Sequence, residues 1–317
     1  MPGGRRPGET LMKTPPWAWA VFAMLSIQLG SALSITLFPL VGSAGTAWLR
    51  LTLGSVILLL IIRPRWRSVH RHHVPALLGL GVGTGVMTTA FLTALQTLPL
   101  GTAVAIEFLG PLTIAAITGR TVKAAVWPVL ALVGIVLMTE PWAGNIDPVG
   151  IGFALLAACG WGSYIWFSQK VGDSFSGIQG LAMSLPVAAV VAGFFGVPQA
   201  WGNVDLYVVG ILVVLTILTP LLPFSLEMLA LKRMNKRSFG TLMAVGPAIA
   251  LLIGIVVLFQ FPGFLEVLGI IIVIVAGVAT QRTAGRSDDT SFSVASRPEW
   301  GVTGAGDSDG VSGGTIA

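Results

Sequence analysis

The sequence predicts an all-α membrane protein of ten transmembrane helices. Three observations carry that prediction: an apolar excess, the length of the apolar runs, and the one-sided placement of the basic residues. Apolar residues make up 54% of the 317 and charged residues 10%, with a mean hydropathy of +0.87. A soluble domain carries about a quarter charged residues, so water is a poor solvent for this surface. The apolar runs are near twenty residues long, the length a helix needs to cross a bilayer core of about 30 Å. Barrel strands of about ten residues with alternating polarity do not fit.

In order, the expected spans are 17–38, 45–62, 74–95, 100–118, 124–140, 148–169, 176–197, 204–230, 236–259 and 264–281. Charge or turn residues bound them, as at Arg63-Pro64-Arg65, Pro99-Leu100-Gly101, Asn145-Ile146-Asp147-Pro148 and Gly202-Asn203. Residues 1–16 read as a flexible cytoplasmic leader. Residues 282–317, rich in Gly, Ser, Thr and Asp, read as a disordered cytoplasmic tail. Arg5-Arg6 reads as leader charge, not as an export signal, because no short apolar segment with a small-residue cleavage site follows. Cys159, the single cysteine, lies in an apolar run and can form no intrachain disulfide.

Charge sets the orientation. With the N-terminus inside, the cytoplasmic segments hold Arg5, Arg6, Lys13, Arg63, Arg65, Arg67, Arg71, Arg120, Lys123, Lys170, Lys232, Arg233, Lys236, Arg237, Arg282, Arg286 and Arg297. Those are seventeen of the eighteen basic residues. The opposite loops hold only Glu140, Asp147, Asp205 and Glu266. Basic residues stay on the cytoplasmic side of helix ends, so both termini are expected inside an inner (plasma) membrane. The basic balance then reports topology, and no nucleic-acid partner is expected.

The chain also echoes itself. Gly110-Pro111-Leu112 in the fourth span recurs as Gly246-Pro247-Ala248 in the ninth, and Gly30-Ser31 as Gly162-Ser163. The halves, residues 17–140 and 148–281, hold five expected spans each. Five is odd, so the second copy runs with opposite topology, a transporter architecture whose site lies near the midplane.

Three charges fall within apolar runs: Arg50, Glu107 and Glu227. Each costs at least about 2.5 kcal/mol at the bilayer centre, so each should face a cavity or a partner. At about 1.5 Å rise per residue, Arg50 and Glu107 lie at a similar depth, roughly 9–10 Å from the outer end. They could pair with each other or bind opposite ends of a zwitterion. Glu227 could pair with Lys232 or Arg233 near the cytoplasmic interface, or face the site. Pro220 and Pro223 should break or kink the eighth span, as Gly110-Pro111 and Gly246-Pro247 should break the fourth and ninth. Carbonyls freed at that depth are tolerated where they line a cavity, although such kinks also serve packing alone. Trp161 and Tyr164 share a helix face at i and i+3, where they could wall a cavity or fill a helix contact. Trp17, Trp19, Trp48, Trp127, Trp142 and Trp201 are expected as belt anchors at the membrane interfaces. The loop histidines His70, His72 and His73 sit among arginines without Cys or carboxylate partners, so no metal is expected. No phosphate-binding loop or hydrolase motif is present. That leaves no catalytic residue and no cofactor to assign.

At these residues the chain resembles the threonine and homoserine exporters of the drug/metabolite transporter superfamily (EamA-type). The likeness rests on Leu98-Pro99-Leu100-Gly101-Thr102-Ala103-Val104-Ala105-Ile106-Glu107-Phe108 with Gly110-Pro111. Phe38-Pro39-Leu40-Val41-Gly42, Arg50-Leu51, Leu222-Pro223-Phe224-Ser225-Leu226-Glu227-Met228 and Ser238-Phe239-Gly240-Thr241-Leu242-Met243 add to it. It covers roughly residues 17–281. It implies ten helices in two inverted five-helix repeats (the EamA/DMT fold), a central cavity, and export of small amino acids without ATP, with proton coupling as an option. Two positions where the family often carries glutamate hold Gly246 and Gln260 here, which shifts any ion coupling toward Glu107. The competing readings are an exporter of another metabolite or drug in the same superfamily, and a channel or assembly protein.

Overall fold

Backbone N–H and C=O groups cannot stay unpaired in hydrocarbon, so apolar runs of this length must pair internally as helices. The computed structural model describes residues 15–118, 122–140, 142, 147–175, 177–231 and 236–295. Among these described residues every regular element is helical and none is a strand. α1 (Pro16–Ser34) continues through a 3-10 turn, Ile35–Leu37, into the short α2 (Phe38–Val41). α3 (Ser43–Ile62), α4 (Val74–Ala94), α5 (Leu100–Glu107), α6 (Leu109–Thr118) and α7 (Val122–Thr139) follow. Then come α8 (Pro148–Gly172), α9 (Gly177–Ala200) and α10 (Leu206–Thr216), with a π-helical segment, Ile217–Leu221, leading into α11 (Leu222–Leu231). α12 (Lys236–Met243), α13 (Gly246–Leu258) and α14 (Phe264–Ala295) complete the order. Seven helical stretches are long and apolar enough to cross a membrane, and three shorter apolar ones lie at Val126–Thr139, Leu206–Thr219 and Phe264–Thr280. The protein is a multi-pass membrane protein.

Its surface agrees with a lipid solvent. Leu60, Ile61, Phe194, Phe195 and Val256 are largely exposed, which would be a severe liability in water. The interior is built from small residues. Ala90, Ala94, Ala103, Ala105, Ala157, Ala158, Ala244 and Ala250 belong to one central cluster with Leu92, Leu100, Ile106 and Ile270. Lipid tails are as apolar as leucine, so helices gain little by hiding leucines from them. Close backbone approach through small residues supplies the contact instead.

Glycine marks these seams. α4 and α8 form the most extensive helix pair. A Cβ on Gly160 of α8 would lie 2.7 Å from the backbone nitrogen of Met87 in α4, and one on Gly83 would lie 3.3 Å from the Gly160 carbonyl oxygen. α4 meets α9 at Gly81 and Gly85, where added Cβ atoms would lie 2.6 and 2.8 Å from the carbonyl oxygens of Ser184 and Ala188.

Prolines set the breaks. α5 ends at Glu107 and α12 ends at Met243, in each case four residues before a proline, Pro111 or Pro247. The proline nitrogen carries no hydrogen, so the carbonyl four residues back loses its helical donor and the helix interrupts there. In the segment joining α10 to α11, Thr219 is extended (φ −152°, ψ 111°), the conformation favoured for a residue before proline; here that proline is Pro220. Pro223 is buried within α11.

Two expectations need correction. Trp48 is not only an interfacial anchor: it packs against Leu51, Ala188, Ala189 and Ala192 between α3 and α9 and against a second cluster with Leu37, Val41 and Leu212, and Gly196 is the hole into which its side chain fits. Trp127 likewise packs against the central cluster with its indole N–H buried. Trp17, Trp142 and Trp201 are well exposed. The last helix also runs on to Ala295, beyond the boundary expected at Arg282. No proline interrupts the backbone hydrogen bonds between Phe264 and Ala295.

Candidate functional site

Arg50 is placed by the turn that starts α3. Gly42 takes φ +72°, and a substituent there would also strike the Gln199 side chain. The Gln199 side-chain oxygen accepts from the N–H groups of Ala44 and Gly45 at 3.0 and 3.3 Å, capping the new helix. Seven residues further, Arg50 is buried, 9% exposed. Its Nη1 donates to the Ser34 hydroxyl at 2.7 Å and its Nη2 to the Thr219 hydroxyl at 2.5 Å. Both hydroxyls are oriented by passing their own protons back along the helix, Ser34 to the Gly30 carbonyl (2.6 Å) and Thr219 to that of Leu215 (3.1 Å). The guanidinium is therefore held by neutral acceptors. Among the described residues its buried Nε has no hydrogen-bond partner.

The break at Thr219 makes this arrangement possible. The extended Thr219 brings its hydroxyl to Arg50 of α3, which also holds Ser34, the last residue of α1. α1 comes close enough because residue 30 is glycine: a Cβ there would lie 2.9 Å from Thr219 Oγ1. The Ser26 hydroxyl donates to the Leu218 carbonyl at 2.8 Å, fixing the same joint. Ser34, Thr219 and Ser26 were not singled out from sequence. Hydroxyl residues are common in membrane helices, and the only signal was their neighbours, Gly30 and Pro220.

Glu107 is also 9% exposed, at the end of α5 where Pro111 interrupts the helix. Among the described residues no hydrogen bond or ion pair reaches its carboxylate, so Arg50 and Glu107 are not joined as an ion pair. Phe108 beside it meets Trp161 edge-on, with ring centroids 5.9 Å apart. A Cβ on Gly110 would strike the carbonyl of Ala158, which locks α6 against α8 one turn from Trp161.

The two aromatic residues of α8 serve different places. Trp161 packs on the central cluster. Tyr164 packs on two lateral clusters around Leu77, Leu80, Met183, Leu58 and Leu185, within electrostatic reach of Glu227. Glu227 is half-buried in α11, and its suggested partners Lys232 and Arg233 lie outside the described residues. Two grooves, of about 620 and 440 Å³, open beside Trp48 and Val190 and beside Leu33 and Ile211. Neither is lined by Arg50 or Glu107.

Among the described residues this arrangement has no nucleophile–base pair. Among them it holds a buried guanidinium bonded to two hydroxyls, a buried carboxylate with no hydrogen-bond partner, and helix breaks at Glu107 and Thr219. The model of the EamA-like transporter family matches residues 148–280. The threonine/homoserine exporter RhtA of Escherichia coli (strain K12) is 37% identical over 289 residues, covering 87% of this chain and 95% of that protein. The chain belongs to the EamA-like transporter family. RhtA of Salmonella typhimurium (strain LT2) is 36% identical over 292 residues, covering 88% and 96%. A solved crystal structure at 17% identity shares the EamA-like chain's fold, with a TM-score of 0.57 over 86% of this chain and 99% of the other. The relatives are exporters, so this EamA-like protein is a transporter and not an enzyme.

Proposed function

We propose that the protein is a secondary exporter of small polar amino acids of the threonine and homoserine kind, working by alternating access in the inner membrane. In this reading ten helices cross the bilayer: the seven long ones and the three shorter apolar stretches. They form two inverted five-helix halves, residues 17–140 and 148–281, with both termini cytoplasmic. The matching breaks at Glu107 and Met243, each four residues before its proline, support the inverted repeat, and the charge partition supports the orientation.

The single observation that carries the reading is Arg50. A buried guanidinium held, among the described residues, by two hydroxyls has three of its five N–H groups, Nε–H among them, left for an incoming carboxylate, and its planar fork suits a two-point contact. Glu107, without a protein partner, takes the substrate ammonium or a proton. Export would be driven if the two compete for the same carboxylate on opposite faces of the membrane. Pro111, Pro220, Pro223 and Pro247, with Gly110 and Gly246, provide interrupted helices that can bend around the occupied site. Trp161 and Tyr164 wall α8, and Glu227 borders the cytoplasmic end.

The test is uptake of labelled threonine and homoserine into everted membrane vesicles carrying the full chain. Uptake that depends on the imposed proton gradient and competes with unlabelled substrate is the expected result. Vesicles no better than empty-vector controls for either amino acid would overturn the reading.

A further inference from the structure

The loop between α3 and α4 holds all three histidines of the chain, His70, His72 and His73, and the function proposed above uses none of them. They crowd one short 3-10 turn, Arg71–His73, and the residue before it. The ring centroids of His72 and His73 lie 3.8 Å apart, and that of His70 lies 5.7 and 5.6 Å from them.

His73 makes two contacts from this turn. Its Nδ1 accepts the backbone N–H of His70 at 3.2 Å, closing back over the start of the turn as the third residue of a capping box does. Its ring meets Phe175 edge-on, with centroids 4.8 Å apart. Phe175 follows α8 and is buried with Leu77 and Leu80 of α4, Val171 of α8 and Met183 of α9. His73 therefore joins the start of α4 to the end of the α4–α8–α9 packing that is cytoplasmic in the proposed topology.

The cap needs a neutral ring. Its donor is a backbone N–H, so Nδ1 must carry the lone pair, whereas an imidazolium has a proton on both nitrogens and accepts nothing. The surroundings offer a charged ring no counter-charge. His70, His72, Arg63, Arg65, Arg67 and Arg71 share the loop, and residues 63–73 include no carboxylate. α4 and α9 contain no charged residue. α8 and the turn after it bring Lys170 and Asp173, and among the described residues no ion pair joins either to His73.

We propose that His73 is an acid-sensitive clasp: neutral, it holds the start of α4 to the turn after α8, and protonation from the cytoplasm releases it and slows export. The inference rests on the function proposed above. An exporter driven by protons acidifies the cytoplasm as it works, so a clasp released by acid acts as a brake. Because the bonded form is the neutral one, the clasp is complete well above about pH 6.5 and is lost as the pH falls through that value.

The experiment uses everted vesicles carrying the full chain, in which the loop faces the bath in the proposed orientation. His73→Gln keeps an acceptor that does not titrate, and His73→Phe keeps a ring beside Phe175 without an acceptor. Threonine uptake by wild type, divided by that of His73→Gln at the same bath pH, should fall about fivefold between about pH 7.5 and about pH 5.5, the factor that one lost cap is worth. His73→Phe should behave at both values as wild type does in acid. In the purified full chain, hydrogen exchange over residues 70–77 should be faster in wild type than in His73→Gln at the lower pH and equal at the higher. A flat uptake ratio, or equal exchange at the lower pH, overturns the proposal. Should His73→Gln fail to insert, His73→Phe decides: uptake and exchange equal to wild type at the higher pH overturn the clasp. Vesicles that take up neither threonine nor homoserine overturn the exporter reading, and the exchange comparison then decides the clasp by itself.

Discussion

Replacing Arg50 with Gln separates a structural charge from a working one. Were Arg50 half of a buried ion pair, its removal would strand a carboxylate at a cost of about 3–5 kcal/mol, and the chain would be lost from the membrane. The hydroxyls of Ser34 and Thr219 are its partners instead, and both already donate to backbone carbonyls, so losing the guanidinium strands no charge. The substrate loses more. A hydrogen bond to a charged group contributes about 1.5–3 kcal/mol, so a two-point carboxylate contact is worth about 3–6 kcal/mol. At about 1.4 kcal/mol per tenfold, kcat/KM should fall by roughly 10²–10⁴, with membrane abundance within about twofold of wild type. Initial rates in everted vesicles, normalised to immunoblotted protein, measure both. Glu107→Gln should behave alike, and the double variant should be no more abundant than either single one. Loss of abundance in the single variants with recovery in the double would show a direct pair and refute the reasoning.

Pro111→Ala and Pro247→Ala return a donor to the carbonyls of Glu107 and Met243, so each should keep insertion while slowing export several-fold, read from the same vesicles. Gly160→Ala forces a methyl group against the Met87 backbone and should cost about 1–3 kcal/mol, seen as a lower thermal midpoint in detergent. Gly210→Ala, where a Cβ meets nothing within 4 Å, should leave that midpoint unchanged or slightly raised. Gln260→Leu removes the acceptor of the Leu100 N–H at the start of α5 (3.0 Å), and the cap should be worth about 1 kcal/mol in the same melt. A reporter fused after Arg282 should be active only in the cytoplasm, and periplasmic activity would reverse the proposed orientation.

Helix positions were legible because a bilayer imposes one strong demand, an uninterrupted apolar run, and this chain meets it repeatedly. Arg50 and Glu107 were legible for the converse reason: a charge in such a run is rare enough to need a purpose. The partners of Arg50 were not. Thr219 lies 169 positions away, and a threonine in a membrane helix is ordinary until a following proline turns it outward. Trp48 and Trp127 read as belt anchors because proximity to a helix end resembles belt placement, whereas the glycines that receive Trp48, Gly193 and Gly196, lie in α9, far along the chain. Gly81, Gly83 and Gly85 alternate openly in the sequence, yet alternation on a helix points to two faces, and only the fold shows α8 and α9 occupying one each.

That two-sided glycine run has a mechanical consequence. Where main chain rests on main chain there are no rotamers to exchange, so α4, α8 and α9 have no second way to interlock and should travel as one body. Flexing must fall elsewhere, at joints made of single hydrogen bonds such as Ser26 to Leu218. Spin labels bridging α4 and α8 would then act as a fixed ruler through the transport cycle, and labels bridging α1 and the Thr219 joint as the moving pointer.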